Sequence, residues 1–360
     1  MGVTENAGYG VYVHIPFCRH RCDYCAFATF TDRDHIIEDY LRALSTEIER
    51  AVSAAMPRAT SIFVGGGTPT RVPPEDLVRV LAGIPVTSDA EITIECNPDD
   101  VTDEMMSRFI EGGVNRLSFG VQSMQTHVLK SLGRTHDPDN VHRSLEMARR
   151  AGFVDINLDI IYGVHGESVA DWSATVRSIL ELQPTHVSAY GLTVESGTPL
   201  ADDPARHPDN DLQAEMYEVA DDLLVAAGLK NYEVSNWSLP DRECQHNRLY
   251  WLQGNYAGFG SAAHAHHDGR RSWNVRTPDR FIELINSSQS AESSFEVLGE
   301  QERRLEGLQL AMRMREGVPM DSFTTEDLEM MSELLNVAQG VVTLTRAGRL
   351  LANEVLIRLK

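Results

Sequence analysis

The chain has 360 residues, 42% hydrophobic and 24% charged, the composition of a globular protein and not of a disordered or fibrous one. Acidic side chains outnumber basic ones 53 to 32, and a net charge of −21 argues against a nucleic-acid surface built from clustered Lys and Arg. No apolar run approaches the ~18–20 residues of a membrane span, and residues 1–9 lack the basic and apolar regions of a secretory leader, which predicts a cytoplasmic protein.

Taken in chain order, apolar β-branched runs fall at residues 11–15, 61–64, 91–95, 116–121, 155–160 and 186–190. Helical periodicity lies between them, clearest in Ile36, Ile37, Tyr40, Leu41, Leu44 and Ile48. Six strand–helix units predict an α/β fold, a parallel sheet closed or partly closed as a barrel, with a doubly wound sheet as the alternative. Residues 195–210, rich in Pro, Asp, Gly and Ser, read as a loop before a helix at 213–227. Residues 232–274 are rich in Trp, Asn and His with little periodicity, and a Ser-rich stretch at 287–294 reads as a linker. Beyond it the pattern is helix, helix, short strand at 341–344 and helix at 346–358, a small helical domain with a winged-helix flavour. The organisation predicted is a barrel over 1–235, an extension packed on it over 236–290 and a C-terminal domain over 291–360.

Three of the five cysteines, Cys18, Cys22 and Cys25, lie within eight residues, which favours a metal or redox site over a disulfide framework. A short loop with that spacing wraps three thiolates around one centre, and a cube that normally takes four would keep one iron open to a small ligand. A Cys3His zinc site using His14 or His20 and a Cys22–Cys25 redox pair employ the same residues differently. Cys96 and Cys244 stand alone and read as small apolar fillers.

The CxxxCxxC loop after the first strand resembles the radical S-adenosylmethionine (SAM) superfamily, in which SAM chelates the open iron and is cleaved on reduction of the cluster. The flanking Tyr12-Val-His-Ile-Pro-Phe-Cys18 is similar to the oxygen-independent coproporphyrinogen III oxidase-like family, and the similarity continues through most of the chain. It implies a partial (β/α)6 barrel, a [4Fe–4S] cluster on Cys18, Cys22 and Cys25, and chemistry at the C-terminal ends of the strands. Gly65-Gly66-Gly67-Thr68-Pro69 resembles the family's GGGTP segment, so Gly66, Gly67 and Thr68 are expected to hold the SAM ammonium and carboxylate. Glu95 ends strand three, Gln122 ends strand four with Arg134 twelve residues on, and Asp159 sits in strand five. An acid in an apolar strand demands a partner, and Arg134 has the fork that matches a carboxylate. These four, with Tyr12, Tyr24 and Thr193, match family positions near SAM.

Two features resemble one branch, the HemW heme chaperones. The coproporphyrinogen III dehydrogenase of this family carries a further Cys two residues after the third ligand and a long segment before its Tyr-x-His-Ile-Pro; here Phe27 takes that position and eleven residues precede Tyr12. Cys244-Gln-His246-Asn247-Arg-Leu-Tyr250-Trp251 resembles the HNxxYW motif of the branch. The resemblance implies heme as cargo, His246 as a heme contact beside Tyr250 and Trp251, and acceptor hemoproteins as partners. On sequence chemistry alone, His246 and Asn247 equally satisfy buried backbone groups while Tyr250 and Trp251 fill core. His264, His266 and His267 read as solvated histidines on a loop, with metal binding as the alternative. The competing activity is radical SAM oxidation of a porphyrinogen.

Overall fold

A computed structural model describes residues 8–360; the leader reading falls largely on residues 1–7, outside the described residues. Six strands, β1 (Tyr9–Ile15), β2 (Ala59–Gly66), β3 (Val86–Cys96), β4 (Arg116–Gln122), β5 (Asp155–Tyr162) and β6 (His186–Gly191), pair in parallel in chain order. The helices between them are α1 (Ile37–Ser53), α2 (Pro74–Ala82), α3 (Asp103–Glu111), α4 (Thr126–Ser131), α5 (Pro138–Ala151) and α6 (Val169–Glu181). Each lays an apolar stripe on the sheet, as α1 does with Tyr40, Leu41, Leu44 and Ile48. Capping fixes where they begin: Ser168 and Asp171 form a reciprocal capping box at the start of α6. The partial (β/α)6 barrel is thus the one expected, not a doubly wound sheet. It stays open: β6 is bordered by the antiparallel strand β8 (Asn236–Ser238), which in turn pairs with β7 (Lys230–Glu233) at the sheet edge.

The structure adds what periodicity did not show. The loop at 195–210 leads into α7 (Asn210–Ala226), which begins three residues before the predicted start and is N-capped by the Asp209 carboxylate. The segment at 232–274 contains α8 (Gln245–Trp251) and the strands β9 (Asn255–Phe259), β10 (His264–His267) and β11 (Arg270–Asn274). β9 pairs in parallel with β1, extending the sheet on its first edge. These strands are short and polar, so their support is pairing with neighbours already in place and not an alternating pattern. After α9 (Pro278–Asn286) comes β12 (Glu292–Val297), paired with β11. The Ser-rich stretch at 287–294 is therefore partly a sheet strand, a correction to its reading as a linker.

Then follow α10 (Glu300–Ala311), β13 (Val318–Pro319), α11 (Thr325–Met330), β14 (Leu335–Ala338), β15 (Val341–Leu344), α12 (Arg346–Leu350) and α13 (Ala352–Leu356). The three strands form their own sheet in the order β13-β15-β14 around a separate apolar cluster that includes Met312, Phe323, Val342 and Val355. The expected strand at 341–344 is half of a hairpin, and the expected helix at 346–358 is broken at Leu351. Arg346 and Arg349 bind the buried Asp221 of α7, fastening this unit to the barrel. Among the described residues no helix is long and apolar enough to cross a membrane.

Candidate functional site

The strand ends β2 to β6 and the cysteine loop enclose one pocket of about 790 Å3. Cys18, Cys22 and Cys25 line one wall, with Tyr24 between them. The loop is pinned at its start and near its middle: Cys18 N–H donates to the Phe30 carbonyl at 3.0 Å and Asp23 N–H to that of Leu132 at 3.2 Å. The Thr68 hydroxyl donates to Cys18 Sγ at 3.5 Å, and Arg134 Nη1 to Cys22 Sγ at 3.6 Å. Burial pushes the Cys18 thiol up to about 11, so ligation by this group releases a proton.

His14 is not available to complete a zinc site. His14 is buried, with Nδ1 3.1 Å from the Tyr12 hydroxyl and Nε2 3.1 Å from the Ala28 carbonyl, so both nitrogens are engaged.

Beside Cys18 lies the glycine turn, with Gly67 N–H donating to the Ile15 carbonyl and Thr68 N–H to the Phe17 carbonyl, both at 2.8 Å. A Cβ on Gly67 would stand 2.7 Å from the Phe17 carbonyl oxygen and 2.8 Å from that of Ile15, and Gly66 has φ 108°, so both positions exclude side chains. Gly66 N–H donates to Glu95 Oε2 at 3.2 Å. Burial first, and then the neighbouring Asp159 charge, raise Glu95 to about 8. Asp159 accepts hydrogen bonds from Ser118 Oγ at 2.8 Å and Asn157 Nδ2 at 2.9 Å, yet burial still holds it above the usual carboxylate range. Gln122 sits at a register shift between β4 and β5 with φ 62°, a left-handed conformation that a residue held for function tolerates. Arg134 Nη2 donates to the Gly120 carbonyl at 2.7 Å.

Of the residues expected from the sequence, the three cysteines, Tyr24, Gly66, Gly67, Thr68, Glu95, Gln122, Arg134, Asp159 and Thr193 all line this pocket. Tyr12 does not; its hydroxyl meets His14, whose ring fills the space where a Gly66 Cβ would stand, so it stands behind the glycine turn. His246, expected as a heme contact, does not either. It is 0% exposed, packed in α8 against β1 and β2, with Nδ1 2.9 Å from Ser61 Oγ and Nε2 2.8 Å from the Tyr250 hydroxyl. Neither nitrogen is free for iron. The three histidines lie on β10 and not on a loop. His266 is buried, held by the Gly254 carbonyl and Gly269 N–H; His264 stacks on Trp273 with centroids 5.8 Å apart; His267 is exposed.

Several pocket residues escaped sequence reasoning. Asn97, Ser118, His136 and Tyr190 line it. Ser118 and Tyr190 lie on strands already assigned, so counting inward-facing positions would have found them. Asn97 and His136 lie in loops that carry no periodic signal. Glu91, also missed, is buried and accepts from Gln245 N–H at 3.0 Å and His246 N–H at 3.2 Å, anchoring the first turn of α8. Cys244, read as an apolar filler, points its thiol at Glu91 from 3.5 Å.

The radical SAM superfamily signature matches residues 12–179. Over 364 residues the chain is 36% identical to a Mycobacterium tuberculosis protein named heme chaperone HemW, covering 96% of this chain and 93% of the relative. It is 34% identical to the Bacillus subtilis protein of that name, covering 96% of this chain and 97% of the relative. Among solved structures, Escherichia coli coproporphyrinogen III oxidase (HemN), titled a radical SAM enzyme, superposes with a TM-score of 0.84 at 22% identity over 99% of this chain and 91% of that one, which shows a shared fold. The chain belongs to the HemW branch of the radical SAM superfamily.

Proposed function

We propose that the chain carries a [4Fe–4S] cluster on Cys18, Cys22 and Cys25 with SAM at the open iron, and that it binds heme and passes it to acceptor hemoproteins. One observation carries the cofactor half: residues from the cysteine loop and the ends of β2 to β6, expected separately, meet in a single pocket of about 790 Å3, a volume suited to a nucleoside-sized ligand. The fit is also chemical. Buried Asn97 Oδ1 and Arg134 Nε have no partner within the protein, so the pocket wall awaits a ligand with both donors and acceptors. The cluster with SAM supplies one-electron cleavage of a sulfonium. Thr68 and Arg134 orient two of the thiols, and Gly66 and Gly67 present bare backbone where a side chain would obstruct.

The heme half is supported by the names of relatives that match over more than nine-tenths of both chains. Phe27 adds to it: 64% exposed at the rim of the pocket, it offers apolar area at the position where the dehydrogenase has a cysteine. With His246 enclosed, heme reaches that imidazole only if the Ser61 and Tyr250 hydrogen bonds open.

The test is anaerobic incubation of reconstituted protein with coproporphyrinogen III, SAM and reductant, beside a heme titration. Saturable heme binding with no decarboxylated product is expected; decarboxylated product would establish the oxidase reading instead. Cys22→Ser should abolish the visible absorption of the cluster together with its iron and sulfide, and an unchanged spectrum would remove Cys22 from the ligand set.

A further inference from the structure

His136 lies in the loop between α4 and α5, two residues after Arg134. It is only 5% exposed, yet neither ring nitrogen has a hydrogen-bond partner in the protein. The Val121 carbonyl is close enough to favour a charged ring, but it does not complete a hydrogen bond to either nitrogen. Burial first, and then the Arg134 charge, lower the group to about 4, so at neutral pH the ring carries one donor and one acceptor. Leaving both unpaired in a buried site is costly, and a protein keeps such a residue where something else completes it.

What completes it is set by its neighbours on the same wall of the pocket. Arg134 Nε is an unpaired donor, and Asn97 Oδ1 is an unpaired acceptor whose amide nitrogen is already given to Asp100. The wall therefore asks for a ligand presenting an anionic acceptor to Arg134 and a cationic or hydroxyl donor to Asn97. A zwitterionic α-amino-acid head satisfies both. Arg134 also touches Cys22, which puts this wall beside the thiols. An amino-acid group that chelates iron on those thiols would lie there.

We propose that His136 is a positioning residue for the amino-acid end of SAM, pairing with its carboxylate or ammonium alongside Arg134 and Asn97. This rests on the functional reading above and deepens it by adding His136 to the groups that meet the amino-acid end, alongside the Gly66–Thr68 turn on the Cys18 side.

The experiment compares wild type, His136→Gln and His136→Leu as cluster-reconstituted full-length protein. Equilibrium affinity is read for SAM and for 5′-methylthioadenosine, which has the nucleoside but no amino-acid end. His136→Leu should weaken SAM by roughly tenfold to a hundredfold, the effect of one or two lost hydrogen bonds to a charged group, and leave methylthioadenosine unchanged. His136→Gln, which keeps a donor and an acceptor, should stay within about threefold of wild type for SAM. Without ligand, His136→Leu should melt no lower than wild type, because it removes two unpaired polar atoms; a merely structural histidine would not show that split. Unchanged SAM affinity in His136→Leu, or equal losses for both ligands, would overturn the assignment. If wild-type protein with an intact cluster binds no SAM, it is the functional reading that fails, and the inference falls with it.

Discussion

Ser61 of β2 and His246 of α8 meet inside the protein, 185 residues apart in sequence, with Oγ 2.9 Å from Nδ1. Tyr250 closes the other side of the ring, and Phe63 stacks on it with centroids 5.6 Å apart. Burial lowers this imidazole to about 3, against 6.5 ordinarily. The folded state thus binds fewer protons here than the unfolded chain, so stability falls as pH drops below about 6.5 toward 3. His246→Ala should cost about 2–4 kcal/mol at neutral pH through a cavity and two unpaired hydroxyls. The difference from wild type should shrink in acid, where the wild-type ring must charge or the site open. Chemical denaturation at both pH values measures it, and a variant as stable as wild type would remove His246 from the structural core.

Glu95 works in the opposite sense. It is raised to about 8, above its ordinary 4.5, so the folded ligand-free protein binds more protons than the unfolded chain between those values. Its contribution to stability is lost as pH rises through that window. Glu95→Gln, which never charges, should therefore gain melting temperature on wild type at pH 8 and lose that advantage near pH 4.5. Thermal melts of ligand-free protein across the range test this; a constant offset would mean that the carboxyl titrates normally.

Gly67→Ala places a methyl group within 2.8 Å of two carbonyl oxygens, of Ile15 and Phe17, which belong to the backbone leading into the cysteine loop. Neither can rotate away as a side chain would. Overpacking of this kind costs about 1–3 kcal/mol. The shift falls on the Gly67 N–H to Ile15 carbonyl bond of 2.8 Å, so SAM affinity should drop about tenfold or more even in folded protein. Isothermal titration on the reconstituted variant reads it, and wild-type affinity would show that the turn has room to spare.

Asp221 joins the C-terminal unit to the barrel. It accepts from Trp237 Nε1 at 2.8 Å, Arg346 Nε at 2.7 Å and Arg349 Nη2 at 2.9 Å. Asp221 is buried but its arginine partners are partly exposed, so removing its charge should cost about 1–3 kcal/mol. Asp221→Asn should make cleavage between the barrel and residues 300–360 faster in limited proteolysis and leave the cluster spectrum intact. Unaltered proteolysis would mean that apolar packing alone holds the unit.

By itself the sequence determined the barrel and most of its pocket. The β-branched runs alternate with helical periodicity over residues 11–190, and parallel strands joined by helices leave few topologies, so functional groups after successive strands were bound to gather at one end. Tertiary structure alone decided the rest, because it depends on contacts far apart in the chain. The strands β9 to β11 and β12 exist by pairing onto an edge already formed, which a short polar stretch does not announce. Whether His246 faces a ligand or a serine was undecidable from its motif, since imidazole, tyrosine and tryptophan serve either purpose. The fold placed Ser61 against it and enclosed the ring, while leaving the unremarked His136 unpaired at the pocket wall. A residue's chemistry is written in the chain, but its free valences are fixed only when every neighbour has taken its place.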